Sequence, residues 1–235
     1  MEIKNILITG ASRGIGQALF EKFSNAEGYF VCGIARSFSN EPDTFSEKTE
    51  NRNCLRLGFD LSDFSEYPFL IKTISDFFPK GPILLVNNAG LLYYSAFENT
   101  TEDQFDETMK VNLKIPYFLI KKVLPLMDKN SHIVNVSSMG GFQGSQKYAG
   151  LSAYSASKGA LAILTECLAL ELKPKGISVN CLCLGAVQTE MLTTAFPGYK
   201  APVTPAEMAS FIMDFGLNSH TVLNGVIVPL SLSNP

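Results

Sequence analysis

A short apolar strand pattern, Asn5–Thr9, runs directly into Thr9-Gly10-Ala11-Ser12-Arg13-Gly14-Ile15-Gly16, and a helical pattern starts inside that glycine cluster and continues to Ser24. No other feature restricts the fold as much. A strand that turns within a few residues into a helix packing back on it opens a βαβ unit, because parallel strands need a long crossover connection. The same rhythm then recurs. Further strand patterns are Phe30–Ala35, Cys54–Phe59, Ile83–Asn87, His132–Ser137, Ser178–Leu184 and Val226–Pro229. Most are rich in Val, Ile and Leu without polar alternation, as expected of strands covered on both faces.

Helical patterns fall at about Phe64–Phe77, Thr101–Met127, Ala153–Lys173 and Pro205–Phe215, with Thr100 and Ser152 as caps and Pro116 kinking or dividing the second. The polar segment Ser37–Asn53 reads as a long surface connection holding at most a short helix. These elements predict an α/β fold, a Rossmann-type doubly wound, mostly parallel seven-stranded sheet with helices on both faces. No linker, repeat or low-complexity tract divides the chain, so residues 1–235 read as one domain.

A net charge of −3 and the absence of a Lys/Arg run point away from nucleic acid and anionic membrane, leaving a small molecule as the expected partner. The apolar stretches Leu161–Leu172 and Ile115–Met127 are interrupted by Glu166 and Glu171 or by Lys121 and Lys122, and neither reads as a membrane span. MEIKNILITG enters a strand pattern without the apolar core of a signal peptide. Five cysteines, odd in number and without a CxxC pair, and only two histidines predict no disulfide framework and no metal site. They suit a reducing, cytoplasmic location.

Glycines after the first strand permit a tight turn and close approach of a pyrophosphate, which the N–H groups and dipole of the helix N-terminus stabilise. The spacing here is GxxxGxG rather than GxGxxG, and alone it is also compatible with an ordinary strand-to-helix turn. The second constellation is Tyr154-Ser155-Ala156-Ser157-Lys158 at the start of a helical pattern, where residues four apart share a face. A Lys beside a Tyr favours the phenolate, and lowering a tyrosine by about three pH units requires roughly 4 kcal/mol. Taken alone, YxxxK is usually a surface pair.

The order of motifs resolves this ambiguity. The glycine turn, Asp60, Asn87-Asn88-Ala89-Gly90, Asn112, Ser137-Ser138 and YxxxK follow one another along the chain. From about Asn5 to Thr189, and more weakly beyond, the chain resembles the short-chain dehydrogenase/reductase family, including members of the 3-oxoacyl-acyl-carrier-protein reductase type. The resemblance implies strand order 3-2-1-4-5-6-7 and an oxidoreductase acting on a carbonyl or the corresponding secondary alcohol. Tyr154 would be the general acid and Ser138 would orient the carbonyl. Lys158 would hold the nicotinamide ribose and lower the tyrosine pKa, and Asn112 would keep a helix irregularity and a relay water in place. Ser138 is preferred to Ser137 because Gly141 follows it by three residues. At the cofactor the resemblance places Gly10, Ser12, Arg13, Gly14, Ile15 and Gly16 in the phosphate turn, and Asp60 and Leu61 by the adenine. It places Asn88, Ala89 and Gly90 by the adenine ribose, and Gly185, Val187 and Thr189 by the nicotinamide. Asp60 also reads as a simple turn residue.

The cofactor expectation is NADP(H). An NAD site places an acid about twenty residues past the glycine turn, to bind the ribose 2′-hydroxyl. This chain has Ala35-Arg36-Ser37 there instead. Arg36, with Arg13 and Ser12 opposite, would bind the 2′-phosphate by charge-assisted hydrogen bonds.

Several departures from the family pattern stand out. Leu184-Gly185 replaces Pro-Gly, predicting a looser nicotinamide loop, and Ser138 and Tyr154 lie sixteen positions apart, so extra residues bulge into Gly140–Gly150. Tyr148 lies in that bulge but has Ser152 four residues on, which makes it a poor second candidate for the acid. The lid segment between Thr189 and Thr204 is short. Leu91, Leu92, Tyr93, Phe142, Met191 and Phe196 are candidates for the substrate wall, some of them core residues on the alternative reading. The apolar stretches Ala160–Leu172 and Phe118–Met127 predict a homodimer or homotetramer. The rival reading is a catalytically silent nucleotide-binding regulatory or scaffolding protein on the same fold.

Overall fold

Seven strands alternate with helices in the computed structural model, which describes residues 4–40, 53–81 and 83–232. The strands are β1 (Lys4–Thr9), β2 (Tyr29–Ala35), β3 (Cys54–Gly58), β4 (Ile83–Asn87), β5 (His132–Ser138), β6 (Ser178–Leu184) and β7 (Ile227–Leu230). They pair in the order β3-β2-β1-β4-β5-β6-β7. Every neighbouring pair is parallel, so the sheet is wholly rather than mostly parallel. The chain leaves β1 toward one edge and resumes at β4 toward the other. The carboxyl ends of β1 and β4 therefore flank the switch-point crevice where open α/β sheets bind ligands.

Each buried strand feeds both faces because successive side chains alternate. In β1, Ile6 and Ile8 pack with Leu19, Phe20 and Phe23 of α1 (Gly14–Ser24) and with Met208, Ala209 and Ile212 of α7 (Pro205–Asn218). Leu7 points the other way, into the layer formed with α2 (Tyr67–Phe77), α4 (Ile115–Val123) and α5 (Ser152–Leu172). Full burial of such side chains contributes about 1.5–3 kcal/mol each, which fixes the register of all three layers. α3 (Glu102–Met109) runs into α4, and α6 (Glu190–Ala195) lies in the segment after β6.

The predicted helix Thr101–Met127 is divided, but not by a kink at Pro116. Lys110–Lys114 form a widened π turn, with the Ile115 N–H donating to the Lys110 carbonyl. Pro116 supplies the reason: it has no N–H for the carbonyl of Asn112, four residues back, and its ring would collide with that carbonyl in a regular helix. Capping is displaced by one residue from expectation. Thr101, not Thr100, caps α3 in a reciprocal box with Gln104, and Ser152 is the first residue of α5 rather than its cap. The start of the Ser37–Asn53 connection is a 3₁₀ turn, Arg36–Asn40, and residues 41–52 lie outside the described residues. No helix among the described residues is long and apolar enough to cross a membrane.

Candidate active site

The glycine turn is stitched to the neighbouring switch strand. Thr9 Oγ1 accepts from the Asn88 and Ala89 N–H groups at 3.1 and 3.0 Å, and Asn88 Nδ2 donates back to the Thr9 and Gly10 carbonyls at 3.0 and 3.3 Å. Gly10 and Gly14 have φ of +67° and +57°, the left-handed region that a side chain would strain. Gly16 does not line the crevice. A Cβ there would lie 2.1 Å from the Gly10 carbonyl oxygen, so its role is to let α1 approach the turn. Arg13 precedes α1 without a side-chain cap, and no acidic residue occupies the first helical turn, so the N-terminal N–H groups are left for an anion.

Along the crevice lie Ser12, Arg13, Ile15 and Arg36, then Asp60 and Leu61 after β3, and Asn88, Ala89 and Gly90 after β4. Asp60 also serves as the turn acid, accepting from the Ser62 N–H at 2.9 Å. Arg36 is exposed at the end of β2. Arg13 is already engaged, its guanidinium 2.9 Å from Glu190 at the start of α6, with both side chains about 70% exposed. Gly185, Val187 and Thr189 line the opposite end. In the loop after β6 the Gly185 N–H donates to the Leu230 carbonyl of β7 at 2.6 Å, and a Cβ on Gly185 would meet Ser231 Oγ at 2.5 Å.

The reactive side chains meet where β5 ends and α5 begins. Both serines line the crevice, but Ser137 is buried, with Oγ donating to the Lys158 carbonyl at 2.8 Å, whereas Ser138 is more open, accepting from the Gly140 N–H and lowering the pKa of the neighbouring Tyr154. Lys158, 3% exposed, donates from Nζ to the Val136 carbonyl at 2.9 Å, and Nζ lies 6.0 Å from the Tyr154 ring centroid. Burial lowers its pKa to about 8. The direction at Tyr154 is opposite to the expected one. Burial raises the phenol above its ordinary value, and only the Ser138 hydroxyl pulls it back. The lysine charge is not among the causes at Tyr154, and the Lys158 ammonium is instead hydrogen-bonded to the Val136 carbonyl.

Asn112 sits in the π turn, fully buried and outside the crevice. Its side chain closes both backbone groups of Leu91 at 2.8 Å and donates to Ser157 Oγ at 2.9 Å, and that hydroxyl donates to the Tyr154 carbonyl. It therefore ties the loop after β4 to the first turn of α5.

The crevice encloses about 610 Å³, and Leu92, Met191 and Phe196 form part of its wall as predicted. Three other candidates do not line it. Phe142 packs with Met139 against Ala162, Cys181 and Cys183, Tyr93 donates to the Glu107 carboxylate, and Leu91 is held by Asn112. Glu107 and Lys110 line the crevice without having been singled out for it from sequence, and Tyr148 lines it as part of the bulge within Gly140–Gly150. The first two end α3 at the π turn, whose position was not readable from periodicity.

Residues 4–200 match the family model described as short chain dehydrogenase, and the chain belongs to that family. Among its relatives is the NADPH-dependent pterin aldehyde reductase of Arabidopsis thaliana, 35% identical over 85% of this chain and 83% of the relative. Another is the 3-oxoacyl-acyl-carrier-protein reductase FabG of Vibrio cholerae, 32% identical over 81% of this chain and 76% of the relative. The fold superposes on the crystal structure of a 3-ketoacyl-acyl-carrier-protein reductase from Brucella melitensis complexed with NADH, with a TM-score of 0.82 and 25% identity over 97% and 96% of the two chains.

Proposed function

We propose that this chain is a cytoplasmic, NADP(H)-dependent enzyme of one catalytic domain that reduces a carbonyl compound or oxidises the corresponding secondary alcohol, with Tyr154 moving the proton. The observation that carries this reading is that one crevice holds both the uncapped, acid-free N-terminus of α1 and the Tyr154, Ser138 and Lys158 cluster. The cradle fits a nicotinamide dinucleotide: Gly10, Gly14 and Gly90 keep side chains out of its lining, and the N-terminus of α1 offers N–H groups with no acid in its first turn. Gly10 to Ile15 would hold the phosphates, Asp60 and Leu61 the adenine, Asn88 to Gly90 and Lys158 the riboses, and Gly185, Val187 and Thr189 the nicotinamide. When bound, the dinucleotide supplies or accepts the hydride.

The remaining chemistry belongs to the protein. Ser138 and Tyr154 present two hydroxyls to one carbonyl oxygen. Burial holds the phenol above its ordinary pKa, so Tyr154 carries its proton in the free protein and has it available when charge develops on that oxygen. Lys158 favours proton loss from Tyr154 in the step, and Asn112, through Ser157, fixes the turn that carries the phenol.

The preference for NADP(H) rests on Arg36 at the end of β2, where the chain has no carboxylate, and the NADPH dependence named for the plant relative agrees with it. Because Arg13 is shared with Glu190, Arg36 carries most of the discrimination. One charge-assisted contact corresponds to about a tenfold to hundredfold preference. Steady-state kcat/KM with both cofactors tests this. Arg36→Ala is expected to weaken NADPH and leave NADH nearly unchanged, and Ala35→Asp to turn the preference toward NADH. An unchanged ratio in Arg36→Ala would refute the assignment, and no NADPH consumption with any carbonyl would favour a silent scaffold.

A further inference from the structure

The glycine turn carries no acid of its own, yet the fold brings one to it from the far end of the chain. Glu190 Oε2 accepts from Arg13 Nη1 at 2.9 Å across 177 positions of sequence, and both residues line the crevice. Each partner is placed by the scaffold. Arg13 immediately precedes α1, and Glu190 is the first residue of α6. The segment leading to Glu190 is pinned: the Gln188 N–H donates to the Val203 carbonyl at 2.8 Å, the Gln188 side chain accepts from the Ala201 N–H at 2.8 Å, and Thr189 Oγ1 caps α6 by accepting from the Leu192 N–H at 3.3 Å. A Cβ on Gly14 would meet Thr189 Cγ2 at 3.4 Å, so the two banks of the crevice lie against each other beside the ion pair.

Glu190 is therefore an internal anion resting on a cation of the nucleotide crevice. A phosphate that uses Arg13 must displace that carboxylate or share the guanidinium with it, and like charges brought that close repel. Both side chains are about 70% exposed. Exposed ion pairs are weak, so the carboxylate gives way to a phosphate at a small cost rather than blocking it. Arg36, the other arginine of the crevice lining, stands at the end of β2 and is held by no such acid in the ion pairs of the described residues.

From these features we infer that Glu190 is a specificity-determining residue: it competes with the cofactor's 2′-phosphate for Arg13, and so holds the preference for the phosphorylated dinucleotide below what Arg13 and Arg36 together would give. The inference rests on the reading of the crevice as an NADP(H) site.

Adenosine 2′,5′-bisphosphate and 5′-AMP differ only in the 2′-phosphate, and titrating each into the cofactor-free protein by calorimetry reads that group without turnover. Glu190→Gln keeps the size of an exposed side chain and removes its charge. The ratio of the two affinities is expected to rise about threefold in Glu190→Gln and to fall in Arg13→Gln. With Arg13→Gln already in place, Glu190→Gln is expected to change the ratio by less than about 1.5-fold, because the carboxylate acts through the guanidinium. An unchanged or lower ratio in Glu190→Gln, or a rise of equal size with and without Arg13, would overturn the inference while leaving the carbonyl-reducing reading intact. The threefold rise in a protein that reduces no carbonyl with NADPH would uphold the role of Glu190 and overturn the reaction.

Discussion

Lys158→Met is expected to make the cofactor-free protein more stable while abolishing its activity. The ammonium is 3% exposed, and burial takes its pKa from 10.5 to about 8. At about 1.4 kcal/mol per pH unit, holding the charge inside the fold at pH 7 costs about 3 kcal/mol. Methionine removes the charge at similar volume and gives up the charge-assisted hydrogen bond to the Val136 carbonyl, worth about 2 kcal/mol, for a net gain of about 1 kcal/mol. In a chain of this size that raises Tm by about 2–4 °C. The pH dependence provides an internal control. In the unfolded chain the lysine keeps its proton to about 10.5, whereas in the fold it loses it near 8, so wild-type stability rises between those two values. By pH 9.5 wild type recovers about 2 kcal/mol and overtakes the variant. Thermal unfolding of both proteins at pH 7 and 9.5, without nucleotide, measures this directly. A variant less stable than wild type at pH 7, or a gap of equal size at both pH values, would refute the reasoning.

Two other predictions concern the scaffold. His132 is buried between the Gly216 carbonyl and Asn180, and burial lowers its pKa to about 4 from 6.5. The neutral ring thus contributes stability that is present above pH 6.5 and lost as pH falls toward 4. Between pH 7 and 4.5 wild type should lose about 2–3 kcal/mol more than His132→Gln in urea unfolding, and equal losses would show that the ring does not stay neutral. On the outer face of α5, Ile163 and Leu170 are 59% and 74% exposed, and Tyr117 of α4 is 44% exposed. Light scattering at micromolar concentration should show a homodimer or homotetramer that Leu170→Glu dissociates, and a monomeric wild type would refute this.

The layered fold was legible because most buried strands are written as apolar runs and the segments between them carry helical apolar spacing. That pattern predicted a mostly parallel sheet, and the strand order came from the family resemblance; the sheet proves wholly parallel in that order. Local geometry was less legible. Periodicity extends across Thr101–Met127 without a break, and only the pairing of Pro116 with the carbonyl of Asn112 shows why the widened turn must form. The choice of Ser138 over Ser137 was argued from Gly141, whereas the structure adds the physical reason: the pleat commits Ser137 to Lys158. The engagement of Arg13 with Glu190 spans 177 positions and leaves no sequence signal. Tyr148 was visible as a failed copy of the YxxxK pattern inside a bulge expected to alter the pocket wall, but its contact with Phe196 depends on how the extra loop residues fold.

The central claim, that Tyr154 delivers the proton in this crevice, is tested most directly by Tyr154→Phe, measured for both NADPH binding and carbonyl reduction. The variant keeps the ring beside Lys158 and removes the hydroxyl that Ser138 contacts. Its kcat is expected to fall by about a hundredfold or more while the Kd for NADPH stays within about twofold of wild type. Retention of a tenth or more of the wild-type kcat, or an equal loss of kcat in Tyr148→Phe, would contradict the account.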